Sequence, residues 1–328
     1  MYWPSYSIDE VSAYRSAFER DGFVVIENVL SEQEISASQG EVWLYLETKG
    51  TVDRRDPNSW GNSHWPKDIC RNGGFMGRFP YMRRLYHLDH TLMNQQPQAW
   101  RNRENPLIHR VFADLLETEK LWVSLDRYGV MRPGQISSDW MTKCDWLHWD
   151  LSPFHFGTSA AGFAPNLDFS RDEICASYGS RRLQGLVAIT DCPESVGGFH
   201  CVKGFHGERF FRWRSANIEG YGELEDVKSR NFVEVPGEDP MRKEITRVPM
   251  RAGSLLVWDS QLPHGNFPNQ GKDFRMVQYI KMIPVDDARE FLPILGVDDD
   301  RLKEQKWFPP GYEPSALGRK LFGMDPWS

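Results

Sequence analysis

The tripeptide His148-Trp149-Asp150 is the strongest local signal for chemistry in the sequence. Side chains on a β-strand alternate between its faces, so His148 and Asp150 point the same way and Trp149 points away. Two histidines and one carboxylate on one face of an octahedron form a non-haem Fe(II) site with three open coordination positions. The tripeptide alone is more often structural than metal-binding. A metal site therefore requires a second histidine from another strand.

His264 is the candidate for that second histidine, because it follows the strand-like segment GSLLVWDS at 253–260 after a short turn. A solvent-facing turn histidine is the alternative interpretation. Arg275 lies eleven residues later, at the start of the strand-like segment RMVQYIKMI. Its guanidinium could form a bidentate pair with a carboxylate of a dianionic cosubstrate. This constellation of four residues is much harder to obtain by chance than the tripeptide alone.

The first 120 residues are predicted to be helical or irregular, apart from one strand. Ser7 with Glu10 and Ser31 with Glu34 are capping boxes, which mark the beginnings of helices. The segment between them, FVVIENVL, has the β-branched content of a strand. The following polar and aromatic stretch is predicted to be mostly irregular. The predicted elements are helices at about 8–20, 31–47, 77–90 and 105–117 and a strand at 23–30.

Short strands separated by turns dominate the chain after Leu121, which favours an antiparallel sandwich or barrel. The predicted strands lie at 121–131, 145–150, 183–191, 199–204, 244–250, 253–260 and 275–283. Two long excursions, at about 151–182 and 206–243, interrupt them. No segment has the composition of a linker. We therefore expect a single domain over 1–328, with an N-terminal region 1–119, a strand core at about 120–285 and a C-terminal extension 286–328.

Composition and charge exclude several classes of partner. The 328 residues include 39 Lys and Arg against 46 Asp and Glu, and the net charge is −7. An acidic chain without a basic block is a poor candidate for nucleic-acid or anionic-membrane binding. No apolar run could span a membrane, and no secretory signal is visible. The five cysteines contain no C-x-x-C pair, which favours reduced thiols and a cytoplasmic, intracellular location.

Four segments together carry a family resemblance. They are ERDGFVVIENVLSEQEI at 19–35, HWD at 148–150, DCPESVGGFHCVKGFHGE at 191–208 and GSLLVWDSQLPHGNFPNQGKDFR at 253–275. With these segments, the sequence resembles the phytanoyl-CoA dioxygenase family of Fe(II)- and 2-oxoglutarate-dependent oxygenases. The resemblance covers roughly the first 50 residues and most of 120–285. It implies a mainly β fold with packed helices, built on a double-stranded β-helix core (jelly-roll, cupin-like).

The resemblance also assigns roles to individual residues. It implies that Fe(II) is bound by His148, Asp150 and His264 at the mouth of the core. Arg275 would bind the distal carboxylate of 2-oxoglutarate, and Asn266 matches a position that supports this cosubstrate, although a plain turn asparagine is the alternative. Further polar contacts to the cosubstrate are predicted for Gln184 and Arg127.

The reaction implied by the resemblance is oxidation of a small organic molecule, while 2-oxoglutarate and O2 become succinate and CO2. Halogenating relatives lack the carboxylate ligand, so Asp150 favours hydroxylation, or another oxidation such as desaturation or ring formation. Two alternatives stay open: a non-catalytic jelly-roll binding protein, and a metal-dependent hydrolase or isomerase that uses the same His/Asp/His site with zinc. A homodimer is also left open, with the two excursions as lids or dimer surfaces.

Aromatic residues give the only indication of substrate. The chain contains 13 Trp, and aromatic and Arg residues are frequent in 50–105 and 151–182. Such a lining suits an apolar or polycyclic molecule with an anionic or polar group, such as a secondary metabolite or a modified acyl or amino acid. Core and lid packing is an equally good explanation. Strand alternation predicts that Trp146 faces the metal with His148 and that Trp149 faces away.

Overall fold

The computed structural model describes residues 1–67, 69, 98–124, 126, 128–142, 146–150, 153–155, 182–224, 233–286, 308 and 311–327. Six α-helices are labelled within these ranges: α1 (Val11–Asp21), α2 (Glu32–Lys49), α3 (Gln98–Arg103), α4 (Pro106–Leu116), α5 (Glu208–Asn217) and α6 (Ala316–Leu321). Arg127 and the predicted helix near 77–90 lie outside the described residues, as does nearly all of 151–182.

Two antiparallel sheets form the centre of the fold. The strands are β1 (Phe23–Ile26), β2 (Leu121–Val123), β3 (Tyr128–Met131), β4 (His148–Trp149), β5 (Leu183–Ala188), β6 (Gly198–Val202), β7 (Val233–Glu234), β8 (Ile245–Arg247), β9 (Leu255–Asp259), β10 (His264–Phe267), β11 (Arg275–Tyr279) and β12 (Met282–Pro284). The first sheet has the order β1-β9-β5-β11-β3, extended by β12, which pairs with β5 and β2. The second sheet has the order β7-β4-β10-β6-β8.

The first sheet has two buried faces, and alternation along each strand separates them. Leu255 and Val257 of β9 belong to an apolar cluster shared with the helices, whereas Leu256 and Trp258 belong to a cluster shared with the second sheet. Burial of both faces explains why these strands are mostly apolar, with Gln184, Asp259, Arg275 and Gln278 as the polar exceptions. Every second residue of these strands therefore lines the space between the two sheets. This arrangement confirms the mainly β fold with packed helices.

The second sheet is short, and its pairing brings distant segments together. His264 of β10 pairs with His148 of β4 on one side and with Cys201 of β6 on the other. Directly paired residues of neighbouring strands point to the same face. The register thus places both histidines side by side, although they are far apart in the sequence.

Several boundaries differ from the sequence-based expectations. The range of the predicted strand 121–131 contains two strands, β2 and β3. The excursion 206–243 contains helix α5 and strand β7, which pairs with β4. The capping box at Ser31 is confirmed. Helix α1 begins at Val11, because Glu10 reaches back to the Ser7 backbone N–H but Ser7 caps no helical N–H in return.

Candidate metal centre

Three side chains converge on one point, two from neighbouring strands of the second sheet and one from the residue that directly follows β4. His148, Asp150 and His264 each offer a ligand atom, and these atoms lie within 4.8 Å of one another. His148 Nε2 is 3.2 Å from Asp150 Oδ1, and His264 Nε2 is 3.6 Å from Asp150 Oδ2. Both imidazoles are buried, whereas Asp150 is partly exposed. Two nitrogens and one carboxylate, open on one side, are the donor set that suits a divalent transition metal.

Backbone carbonyls orient the two imidazoles. His148 Nδ1 lies 3.2 Å from the Trp146 carbonyl oxygen, and His264 Nδ1 lies 3.0 Å from the Leu262 carbonyl oxygen. Each Nδ1 is placed to donate its proton to that carbonyl, so Nε2 is the nitrogen that hydrogen-bonds to Asp150 when it carries a proton and that can bind a metal ion when it does not. The same device fixes the tautomer of histidine ligands in metal sites. Both Nε2 atoms face the Asp150 carboxylate, so the centre is preorganised for a cation.

The local electrostatics keep the carboxylate ionised. Burial would raise the pKa of Asp150, but hydrogen bonds with His148 and His264 hold that pKa well below its ordinary value. Burial lowers the pKa of His264, against the opposing effect of Asp150. A neutral imidazole beside an ionised carboxylate is the protonation state in which both can bind a metal ion.

Aromatic rings hold the two histidines in place. Trp146 stacks on the imidazole of His148 with ring centroids 3.9 Å apart and an interplanar angle of 14°. Phe199 and Trp258 pack against His264 at 5.8 and 5.2 Å. Trp149 points to the opposite face and packs against Trp213 of α5. The alternation predicted for Trp146 and Trp149 is therefore confirmed.

Arg275 lies on the face of β11 that looks between the sheets. It is 1% exposed, and its Nε and Nη2 have no hydrogen-bond partner among the described residues. Its Nη1 contacts Met131 Sδ at 3.7 Å. The Cys192 thiol lies nearby, and burial raises its pKa despite the guanidinium. A buried guanidinium with unused donors is costly unless an anion completes it, so this position fits a ligand carboxylate.

The family model for phytanoyl-CoA dioxygenase (PhyH) matches residues 18–277, which include the metal cluster and Arg275. The chain belongs to the phytanoyl-CoA dioxygenase family. It is therefore a non-haem iron enzyme that uses 2-oxoglutarate, and the resemblance seen in the sequence is confirmed. The cluster of His148, Asp150 and His264 fits Fe(II), and the Arg275 guanidinium, which has nitrogens unpaired among the described residues, fits a carboxylate of this dianionic cosubstrate.

Relatives of this phytanoyl-CoA dioxygenase family member come from different organisms. A Dictyostelium discoideum protein named for the same family is 29% identical over 287 residues, covering 81% of this chain and 74% of its own length. Ava biosynthesis cluster protein O of Aspergillus versicolor is 24% identical, covering 84% and 79%. Among solved structures, the carbocyclase SnoK from nogalamycin biosynthesis aligns with a TM-score of 0.49 and 14% identity, covering 85% of this chain and 87% of its own.

The remaining residues predicted for the site occupy different places in this member of the family. Asn266 lies two residues after His264 on the same strand, and its Oδ1 is buried without a described partner. Gln184 lies on β5, and its Nε2 donates to Ser260 Oγ at 3.2 Å. Arg127 is outside the described residues. The cosubstrate contacts of all three stay predictions.

The sequence-based reasoning missed one charged residue of the site. Lys281 lies between β11 and β12, is 6% exposed, and places its ammonium 3.9 Å from Asp126 Oδ2. It is close enough to Asp150 to contribute to the low pKa of that carboxylate. The available signal was a lone lysine inside the apolar segment YIKMI.

No helix in the described ranges is long and apolar enough to cross a membrane.

Proposed function

We propose that this enzyme hydroxylates a small organic molecule with Fe(II) and 2-oxoglutarate. The observation that carries the proposal is the pairing of a preorganised His/Asp/His cluster with a buried, incompletely paired Arg275 between the same two sheets. A hydrolase or a passive binding protein does not require a second, anion-binding group beside the metal ligands, whereas a dianionic cosubstrate does. The carboxylate of Asp150 favours hydroxylation over halogenation, because it would occupy the position that halogenating relatives leave open for a halide.

Each residue has a defined task in this proposal. His148, Asp150 and His264 hold Fe(II), and Arg275 pairs with the distal carboxylate of 2-oxoglutarate. Bound Fe(II) with 2-oxoglutarate supplies the capacity to activate O2 for attack on an unactivated C–H bond, with succinate and CO2 as coproducts. The protein orients the substrate and excludes water from the space between the sheets. Trp146, stacked on His148, restricts the movement of that ligand.

Biosynthesis of a secondary metabolite is the context that we propose for the substrate. The support is the name of the Aspergillus versicolor relative, which places that protein in a biosynthesis cluster. The aromatic content of the chain, with 13 Trp and 19 Phe, suits the binding of an apolar or polycyclic molecule.

The experiment is an anaerobic titration of metal-free protein with Fe(II) and 2-oxoglutarate. A weak visible charge-transfer band near about 500 nm should appear only with both present, because the cosubstrate must chelate the metal. Succinate release after admission of O2 then measures turnover. The His148→Ala variant should lose both signals, and Lys243→Ala, which alters an exposed residue, should retain them.

Two results would contradict the proposal. One is the absence of both the band and succinate formation in the wild-type protein. The other is unchanged metal binding in His148→Ala. A zinc content near one per chain in freshly purified protein, with no O2 consumption, would instead support the hydrolase or isomerase alternative.

A further inference from the structure

A row of three polar side chains crosses the first sheet opposite the metal cluster. Gln184 of β5 pairs directly with Trp258 of β9. On the other side of β5, the antiparallel pairing of Met282 with Leu183 places Lys281 beside Gln184. Lys281, Gln184 and Trp258 are thus neighbours on three adjacent segments. We call these three residues the donor row.

The donor row faces the space between the sheets. Leu183 and Met282 belong to the apolar cluster under the helices, whereas Trp258 belongs to the cluster between the sheets. Because alternate residues take opposite faces, Gln184 and Lys281 share the inward face with Trp258. All three are nearly inaccessible, with exposures of 2% for Gln184 and Trp258 and 6% for Lys281.

One end of the donor row packs against a metal ligand. The Trp258 ring lies against the imidazole of His264 with centroids 5.2 Å apart. His264 Nε2 is in turn 3.6 Å from Asp150 Oδ2. The donor row therefore borders the metal cluster at His264, and Lys281 lies two strands away on the same face of the sheet.

The donor row is separate from the group that receives the cosubstrate. Lys281 follows Arg275 by six residues, which at the rise of an extended chain is roughly 20 Å. A five-carbon dicarboxylate is about 6 Å long, from the lengths of its bonds. The distal carboxylate of a cosubstrate paired with Arg275 therefore cannot also pair with Lys281, so the two basic groups would bind different carboxylates.

The chemistry of the row is that of hydrogen-bond donors. The Trp258 indole N–H is buried and has no acceptor among the described residues. Gln184 already donates to Ser260 Oγ, and Lys281 presents an ammonium group. A buried indole N–H without an acceptor is costly, so a ligand oxygen at that position would be stabilising. An ammonium inside an active site suits an anion.

We propose that the donor row binds the substrate, and that the substrate is an organic acid. Its carboxylate pairs with Lys281, and a neutral oxygen accepts the Trp258 N–H beside the metal. The Asp126 carboxylate at 3.9 Å from the ammonium limits the local positive charge, which favours a monoanionic carboxylate over a dianionic phosphate. This inference rests on the proposed function and assigns Gln184 to the substrate side rather than to the cosubstrate.

The test compares acids with their neutral amides. Wild-type protein, loaded anaerobically with Fe(II) and saturating 2-oxoglutarate, is titrated with 2-naphthoate against 2-naphthamide and with decanoate against decanamide. Binding is followed by the shift of the visible band and by quenching of tryptophan fluorescence. For at least one pair, we expect the acid to bind about tenfold or more tightly than the amide, as a charge-assisted bond predicts.

Variants identify the residue responsible for the preference. Lys281→Met should reduce the preference for the acid to about twofold or less, and Lys281→Gln, which keeps a polar side chain, should do the same. Lys243→Met is the matched control at an exposed lysine and should keep the preference. Trp258→Phe should weaken acid and amide equally, because the indole contact is to a neutral oxygen.

The failures of the two proposals are distinguishable. If no visible band forms in the wild-type protein, the oxygenase proposal fails, and the fluorescence titrations still measure the binding of acids and amides at the donor row. If the band forms but no acid binds better than its amide, or none binds at all, the donor row proposal is wrong. It is also wrong if folded Lys281→Met or Lys281→Gln retains the preference.

Discussion

The role of Arg275 can be inferred from the hydrogen-bond partners that its buried side chain lacks in the described part of the chain. Its guanidinium is buried between the sheets, and two of its three nitrogens have no described partner. Burial of an arginine is normally accompanied by a carboxylate or by several carbonyls. Arg103 is the contrasting case, because it donates to the backbone carbonyls of Ala99, Ser124 and Asp126. All three guanidinium nitrogens of Arg103 have hydrogen-bond partners, so its role is structural, whereas Arg275 has donors that a ligand can use.

The first prediction concerns the division of labour between Arg275 and the metal ligands. Arg275→Met should weaken 2-oxoglutarate binding by about 100-fold or more and change Fe(II) affinity by less than about threefold, because it removes only the carboxylate partner. Arg275→Lys should fall between, since it keeps the charge but loses the bidentate geometry. Anaerobic titrations of each ligand measure both affinities. Equal losses of iron and cosubstrate affinity in Arg275→Met would show that the residue acts through the fold.

At the scale of elements, the approach of β10 to its neighbours depends on Gly265. A Cβ at this position would lie 2.2 Å from the Trp146 carbonyl oxygen and 2.8 Å from His200 Nε2. The first of these atoms belongs to the backbone that also accepts the His148 Nδ1 proton. Close approach of the two strands therefore requires glycine, and the two histidine ligands depend on that approach.

The second prediction follows from this packing. Gly265→Ala should push the segment before β4 away from β10, lower Fe(II) affinity by at least about tenfold and destabilise the protein by roughly 1–3 kcal/mol. Gly40→Ala is the control, because a Cβ there meets nothing within 4 Å and α2 should gain up to about 1 kcal/mol. Metal titration and urea unfolding measure the two effects. Wild-type metal affinity in Gly265→Ala would contradict the argument.

Another element contact connects the helices to the first sheet. The Glu41 carboxylate of α2 accepts hydrogen bonds from the Gln98 and Ala99 backbone N–H groups at the start of α3, and from the Tyr128 hydroxyl of β3 at 3.0 Å. A carboxylate at a helix N-terminus satisfies donors that have no partner within the helix. Burial, followed by the charge of Glu41, raises the pKa of Tyr128 well above its ordinary value, so this hydroxyl stays a donor.

The third prediction tests this contact. Glu41→Gln replaces an acceptor-only group by one with a donor, so we expect a loss of about 1–3 kcal/mol in the free energy of unfolding. Glu32→Gln, an exposed change in the first turn of the same helix, should cost about 1 kcal/mol or less. Chemical denaturation monitored by circular dichroism compares them. The contact would be unimportant if both variants lost the same amount.

At the scale of the whole molecule, the metal and the cosubstrate connect different sheets. The metal cluster lies on the second sheet and Arg275 on the first, so a molecule bound to both bridges the core. Ligands that bind only the folded state stabilise it in proportion to their affinity and concentration. Binding at this place should therefore be visible as a change in global stability.

The fourth prediction is a stepwise rise in melting temperature. Under anaerobic conditions, Fe(II) and then 2-oxoglutarate at about 100 times their dissociation constants should each add about 2.7 kcal/mol, or several degrees. EDTA should reverse the rise. Arg275→Met should keep the step caused by the metal and lose the step caused by the cosubstrate. If EDTA leaves the melting temperature of iron-loaded protein unchanged, the metal site is not the one described.

Patterns in the amino-acid sequence were enough to predict the fold class, the family and the principal candidate residues. His148 and Asp150 were recognisable because alternation on a strand is a local property, and the family segments around His264 and Arg275 are contiguous in the chain. The capping box at Ser31 was equally local. Such features depend on residues within a few positions of each other, so they can be identified without coordinates.

The residues that meet across strands can be identified only in the folded protein. The pairing of His264 with His148, the short β7 beside β4, and the donor row of Lys281, Gln184 and Trp258 all depend on strand register. Register is set by how two apolar clusters pack on opposite faces of a sheet, and no short segment encodes it. The sequence could propose the metal ligands, but only the packed sheets show what lies opposite them.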